Sequence, residues 1–222
     1  MPYYCETALN AIGAFPAEPV NALTSLFPVI AGALALFQIL RQKGGGQGGA
    51  GPAALLLAVL AILTGLGSTA WHALRTPLAL TLDTAPGVIY FLVVVLAWPW
   101  LLRRIWLGPA LLAAFALIIW AMTRSDLGFA VAIAVVVLAI ALAAGLLLVL
   151  TWREARPAFR TALAMVGCAT VAAAFRSLDR SACEVVPFGS HFLWHIFLGT
   201  AAFFGVHMAA ALWRQRRRQG GT

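Results

Sequence analysis

Two histidines four residues apart, His191 and His195, lie in SHFLWH, inside the apolar run VVPFGSHFLWHIFLGTAAFFGVHMAAALW. On a helix that spacing projects both imidazoles from one face about one turn apart, near enough to reach a single ion. Ser68 and His72 repeat the spacing in GLGSTAWHALRTPLALTLDTAP, and Asp83 follows a tight connection that contains Arg75 and Pro77. Three histidines with one open position are the donor set of a catalytic zinc site, in which the metal lowers the pKa of bound water to about 7 and polarises a carbonyl. A neighbouring carboxylate can move the water proton, and a hydroxyl can donate to an oxyanion. Each residue also has a plainer reading. A buried histidine is often a hydrogen-bonded interior group, a small polar residue such as Ser68 packs membrane helices, and an aspartate such as Asp83 suits a helix N-cap. The fourth histidine, His207, stands twelve residues beyond His195, more than three turns deeper, and is not expected to join them.

The elements that must position these groups follow from composition. Of the 222 residues, 63% are hydrophobic and only 10% charged, which excludes an ordinary soluble domain. Several apolar runs approach the ~20 residues that a helix needs to cross a bilayer. Their breakers place helices near 21–41, 53–74, 80–102, 106–122, 127–151, 158–175 and 190–213. The expected fold is an all-α membrane protein, a seven-transmembrane helix bundle forming one domain over residues 1–222. KGGGQGGAG at 43–51 reads as a flexible linker, and REARPAF at 153–159 as a charged turn. The N-terminus, MPYYCETALN, lacks the basic region and apolar core of a cleavable signal peptide.

The net charge of +8 is scattered in small clusters between apolar runs, the pattern of membrane topology signals and not of a nucleic-acid partner. With the N-terminus outside, the inner segments hold Arg41, Lys43, Arg103, Arg104, Arg153, Arg156, Arg160, Arg214, Arg216, Arg217 and Arg218. The outer segments hold only Arg75, Arg124, Arg176 and Arg180. Most acidic residues, Glu6, Glu18, Asp126, Asp179 and Glu184, also fall outside. An external arm over 1–20 and a basic cytoplasmic tail over 214–222 follow. In an up-and-down bundle the end of the second helix and the starts of the third and seventh share one membrane face, so His72, Asp83, His191 and His195 can converge there.

The set Ser68-x-x-x-His72, then Asp83 with Pro86 and Ile89-Tyr90, then His191-x-x-x-His195, resembles the alkaline ceramidase family. That family belongs to a superfamily of seven-helix membrane hydrolases that also includes the progestin and adiponectin receptors. The likeness extends to Tyr4-Cys5-Glu6, Ala17-Glu18, Asn21 and Cys183-Glu184, and so spans nearly the whole chain. It implies that His72, His191 and His195 bind zinc, that Asp83 holds or deprotonates the zinc water, and that Ser68 steadies the oxyanion. The implied reaction is hydrolysis of ceramide or a related N-acyl lipid, held in an apolar cavity, to a fatty acid and an amine.

The sequence departs from the family at two places. Its calcium site uses an acidic residue two before the cysteine and an asparagine three after it, where this chain has Tyr3 and Ala8. Glu6, Glu18 and Asn21 are the oxygen donors left, too few for the 6–8 that calcium takes, so calcium is not expected. The family's Asp-Glu-Leu-Pro is here Asp83-Thr84-Ala85-Pro86, which keeps the aspartate but leaves other N-acylated lipids open as substrates. The Ala/Leu/Gly/Arg-rich composition points to a bacterial inner membrane, with the site toward the periplasm. A seven-helix lipid sensor with structural zinc is the rival reading, and Asp83 beside three neutral ligands argues for a bound water instead. Paired broken helices, the mark of a transporter, are missing. Cys5 and Cys183 both fall in outer segments and are expected to form a disulfide, the alternative being two free thiols, whereas Cys168 lies within a helix as an apolar thiol.

Overall fold

The computed structural model describes residues 3–10, 13–41, 49–125 and 128–220. Lys43, Asp126 and most of the glycine-rich linker lie outside the described residues. Among those described there is no strand. A 3₁₀ turn at Glu6–Ala8 precedes α1 (Pro19–Thr24), α2 (Leu26–Arg41), α3 (Pro52–Leu74), α4 (Pro77–Leu101), α5 (Leu107–Thr123), α6 (Phe129–Glu154), α7 (Arg156–Ala182) and α8 (His191–Gly220).

Six helical stretches are long and apolar enough to cross a membrane: Pro19–Arg41, Pro52–Leu74, Pro77–Leu101, Val131–Glu154, Arg156–Ala182 and His191–Gln219. α1 and α2 together make the first of these. α5 is apolar but has 17 residues, short of the ~20 of a full crossing. Two helices outrun the spans expected from hydropathy. α7 continues from 175 to Ala182, and α8 from 213 to Gly220. Hydropathy marks where apolar side chains end, whereas the hydrogen-bond ladder runs on until something breaks it, and no proline or glycine follows Gly167 before Pro187. Arg176, Asp179 and Arg180 therefore lie on the last turns of α7 and not in an outer connection.

The α3–α4 turn is set by local chemistry. Arg75 adopts the left-handed conformation (φ 52°), and its N–H donates to the Trp71 carbonyl at 2.9 Å, closing α3. Thr76 then caps α4 by accepting from the Ala79 N–H at 3.3 Å, with Pro77 at the first helical position. His72 and Asp83 thus face each other across a two-residue turn. At their level Gly67 lies against the α4 backbone, where a Cβ would strike the Leu82 carbonyl and come within 2.8 Å of the Asp83 nitrogen.

α3 and α8 form the centre, each packed on α1, α2 and α4, and on one another, with α7 also against α8. The apolar core, built around Ile39, Leu57, Trp98, Met208 and Leu212, occupies the half of the bundle away from the histidines. α6 packs mainly on α5 and α7, with Trp98 of α4 donating to Thr151 at 2.8 Å, and among the described residues α4 and α7 share no substantial interface. A cavity of about 490 Å³ lies at the basic end, lined by Leu101, Arg103, Glu154, Leu212 and Arg216 among others, far from the histidines.

The disulfide joins Cys5 to Cys183 with their Cα atoms 5.4 Å apart, and Cys168 is free. It ties the N-terminal arm to the segment that leads into α8.

Two outcomes follow. Gly67→Ala should lose about 1–3 kcal/mol of stability by overpacking against backbone, read by thermal unfolding in detergent, while Gly145→Ala, with open space around it, should lose none. Peptide mapping of non-reduced protein should recover the Cys5 and Cys183 peptides joined, with only Cys168 alkylated.

Candidate metal centre

His72 sits near the C-terminal end of α3, and His191 and His195 occupy the first turns of α8. All three are buried, at 1–2% exposure, and offer ligand atoms that lie within 4.8 Å of one another. The ring centroids are 4.6 to 5.2 Å apart.

The hydrogen-bond partners decide which nitrogen each ring presents. Thr24 Oγ1 donates to the Val20 carbonyl at 2.8 Å and Ser25 Oγ to the Asn21 carbonyl at 2.7 Å, so both hydroxyls have lone pairs free to accept. They lie 3.0 and 3.3 Å from His195 Nδ1, which therefore carries the proton and donates. His195 Nε2 is left with its lone pair, buried and with no partner. His72 Nδ1 bonds the Glu18 carboxylate, which fixes the same tautomer and leaves Nε2 for a metal. His191 stacks on Tyr4 at 4.1 Å between centroids, and its Nδ1 is likewise buried without a partner. Orphaned imidazole nitrogens turned toward one point fit a cation that accepts nitrogen donors, with zinc the common case.

The N-terminal arm supplies much of this support. Ala17 and Glu18 donate their N–H groups to the Ala73 and His72 carbonyls at 3.1 and 2.9 Å, satisfying the end of α3. That pairing delivers the Glu18 side chain to His72, and Thr7 Oγ1 and Arg75, at 3.1 Å, share the same carboxylate. Burial alone would raise the Glu18 pKa, but the hydrogen bonds from His72 and Thr7 and the Arg75 charge together hold it below the usual range. Glu6 accepts from the Val20 and Asn21 N–H groups at 2.6 and 2.9 Å, capping α1, and its burial pushes the carboxyl up against those bonds. Glu6 and Glu18, the carboxylates weighed for calcium, thus have their oxygens engaged by the protein itself.

Ser68, one turn before His72, lies beside Asp83, and its Oγ is 3.1 Å from Ser25 Oγ. Asp83 is half-buried and lies on the same side of the site as His72. His207 stacks on Phe203 at 4.5 Å and stands outside the cluster. Sequence reasoning missed the partners of the rings. It weighed Glu18 as an outer acidic residue, as part of the family likeness and as an oxygen donor for calcium, and assigned nothing to Thr24 or Ser25. It also counted Asp179 among loop charges. That residue is 1% exposed, and its Oδ1 accepts from the Ser190 and His191 N–H groups at 2.8 and 2.9 Å, while Oδ2 accepts from Cys5 N–H at 3.3 Å. It caps α8 from another helix. Gly189, at φ 72°, passes so close to this carboxylate that a Cβ would collide with it.

Together these features define a helical protein with six helical stretches long and apolar enough to cross a membrane and a buried three-histidine cluster able to hold a metal. The chain belongs to the Ceramidase family, whose sequence model matches residues 3–221, essentially its full length. Membership implies a hydrolase acting on an amide bond. No curated protein matches the chain.

Alanine at His72, His191 or His195 should each abolish stoichiometric zinc in metal analysis, while His207→Ala should retain it. Glu18→Ala, which removes only the partner of His72, should weaken metal affinity about 10–100-fold in a chelator competition.

Proposed function

We propose that the protein is a zinc-dependent intramembrane amidohydrolase that cleaves ceramide or a related N-acyl lipid to a fatty acid and an amine. One observation carries the reading: three buried imidazoles converge on one point, with the Asp83 carboxylate and the Ser68 hydroxyl close by. α5 completes a seven-helix bundle, with the N-terminus and the site on the periplasmic side of a bacterial inner membrane. The distribution of arginines supports that orientation.

His72, His191 and His195 would hold the zinc, which supplies Lewis acidity and an activated water. The Asp83 carboxylate takes the water proton and delivers it to the amide nitrogen as the amine leaves, since an amide anion is too poor a leaving group to depart unprotonated. Ser68 Oγ–H, one helical turn from His72, donates to the oxyanion that develops on the former carbonyl oxygen. Glu18, Thr24 and Ser25 hold the rings against rotation. The lack of a substantial interface between α4 and α7 among the described residues is consistent with an acyl chain entering between them from the membrane.

Asp83→Asn should retain zinc yet lose turnover by ~100-fold or more on N-acyl lipids, and chelation should silence the unaltered protein. Hydrolysis by the variant at the original rate would remove Asp83 from the mechanism. Zinc-loaded protein inert toward every N-acyl lipid would favour a sensor with a structural metal.

A further inference from the structure

Two arginines stand beside the histidine cluster, and they are held differently. Arg75 lies 3.1 Å from Glu18 and stacks over Trp71 at 4.1 Å. Arg176 is half-buried on α7, within a helix long and apolar enough to cross the membrane. Its guanidinium carbon is 4.7 Å from the Tyr4 ring centroid, and one of its N–H groups donates to the Tyr4 hydroxyl at 3.4 Å. Tyr4 in turn stacks on His191 at 4.1 Å, so a single ring separates this cation from the metal ligands. Among the described residues no carboxylate forms an ion pair with Arg176, although Asp83 lies near enough to interact with its charge.

An arginine in a spanning helix is costly and usually faces an interior with something to bind. Its planar fork suits a carboxylate, which it can hold through two parallel hydrogen bonds. Resting on the amide-hydrolase reading, we propose that Arg176 binds a carboxylate on the substrate next to the scissile amide, making N-acyl amino acids the favoured substrate class over neutral ceramide. The short reach from Tyr4 to His191 requires the anion to lie close to the reacting carbonyl. In an N-acyl amino acid the carboxylate carbon is two bonds from the amide nitrogen, whereas the phosphorus of a phosphorylated N-acyl ethanolamine is four bonds away. Hydrolysis adds the hydroxyl of water to the acyl carbon and its proton to nitrogen as the C–N bond breaks, releasing a fatty acid and the free amino acid. Arg176 orients the substrate and takes no part in the proton transfers.

The test compares N-lauroylglycine with N-lauroylethanolamine, which differ chiefly in a carboxylate against a hydroxymethyl group. The unaltered protein should favour the glycine amide by about 10-fold or more in kcat/KM. Arg176→Gln should lose that preference, mainly through KM, while changing the ethanolamine reaction less than about 3-fold, and Arg176→Lys should recover part of it. Equal losses on both amides would reduce Arg176 to a support for Tyr4 and overturn the proposal, leaving the hydrolase reading in place. A phosphorylated N-lauroylethanolamine that outcompetes the glycine amide would also overturn the carboxylate assignment. Ceramide hydrolysed in preference to N-lauroylglycine would overturn the proposal and leave the hydrolase reading in place; if zinc-loaded protein leaves ceramide and both amides intact, the hydrolase reading falls. Calorimetric titration with N-lauroylglycine then decides the Arg176 assignment: about 10-fold weaker binding by Arg176→Gln supports it, and equal binding overturns it.

Discussion

Three imidazoles buried together in an apolar interior impose one requirement that shapes this whole end of the molecule: every ring nitrogen needs something to bond. Glu18 answers one nitrogen of His72, and the Thr24 and Ser25 hydroxyls answer one of His195. The nitrogens left over turn toward each other. Those unsatisfied lone pairs are what the cluster offers a cation; on His72 and His195 they are fixed by the bonds at the opposite nitrogen, while His191 is held by its stacking on Tyr4.

Glu18 and the Tyr4 ring come from the N-terminal arm, which does more than support the rings. Residues 3–18 donate to the last carbonyls of α3, cap α1 through Glu6 and cover His191 with Tyr4. The Cys5–Cys183 bridge and Asp179 fasten the same arm to α7 and to the first turn of α8. Four otherwise separate backbone ends thus meet at one place. A buried helix terminus carries up to four unpaired amides, and here carboxylates from other elements accept from them.

The electrostatics of the site are uneven. Glu18 lies between His72 and Arg75, and Asp83 lies beside Ser68. Arg176 adds a positive charge on the α7 side, against the Tyr4 phenol. In a medium of low dielectric such an imbalance is felt strongly, because nearby water does not screen it.

Much of this was legible in the residues. Apolar runs separated by Pro, Gly and Arg define a helical membrane protein because backbone groups in hydrocarbon must bond within the same segment. The i, i+4 pairs announce shared helix faces, and the order of His72, Asp83 and His191 along an up-and-down bundle places them at one end. Cys5 and Cys183 could be paired by their shared side. Tertiary structure alone decided the rest. Glu18 stands 54 residues from His72, and Asp179 stands 174 from Cys5, and no local periodicity encodes such contacts. Arg176 read as a loop charge because hydropathy ends before the α7 helix does. Whether a side chain near a helix end faces water, lipid or a metal ligand depends on the rotation and depth of that helix against its neighbours, and packing sets both.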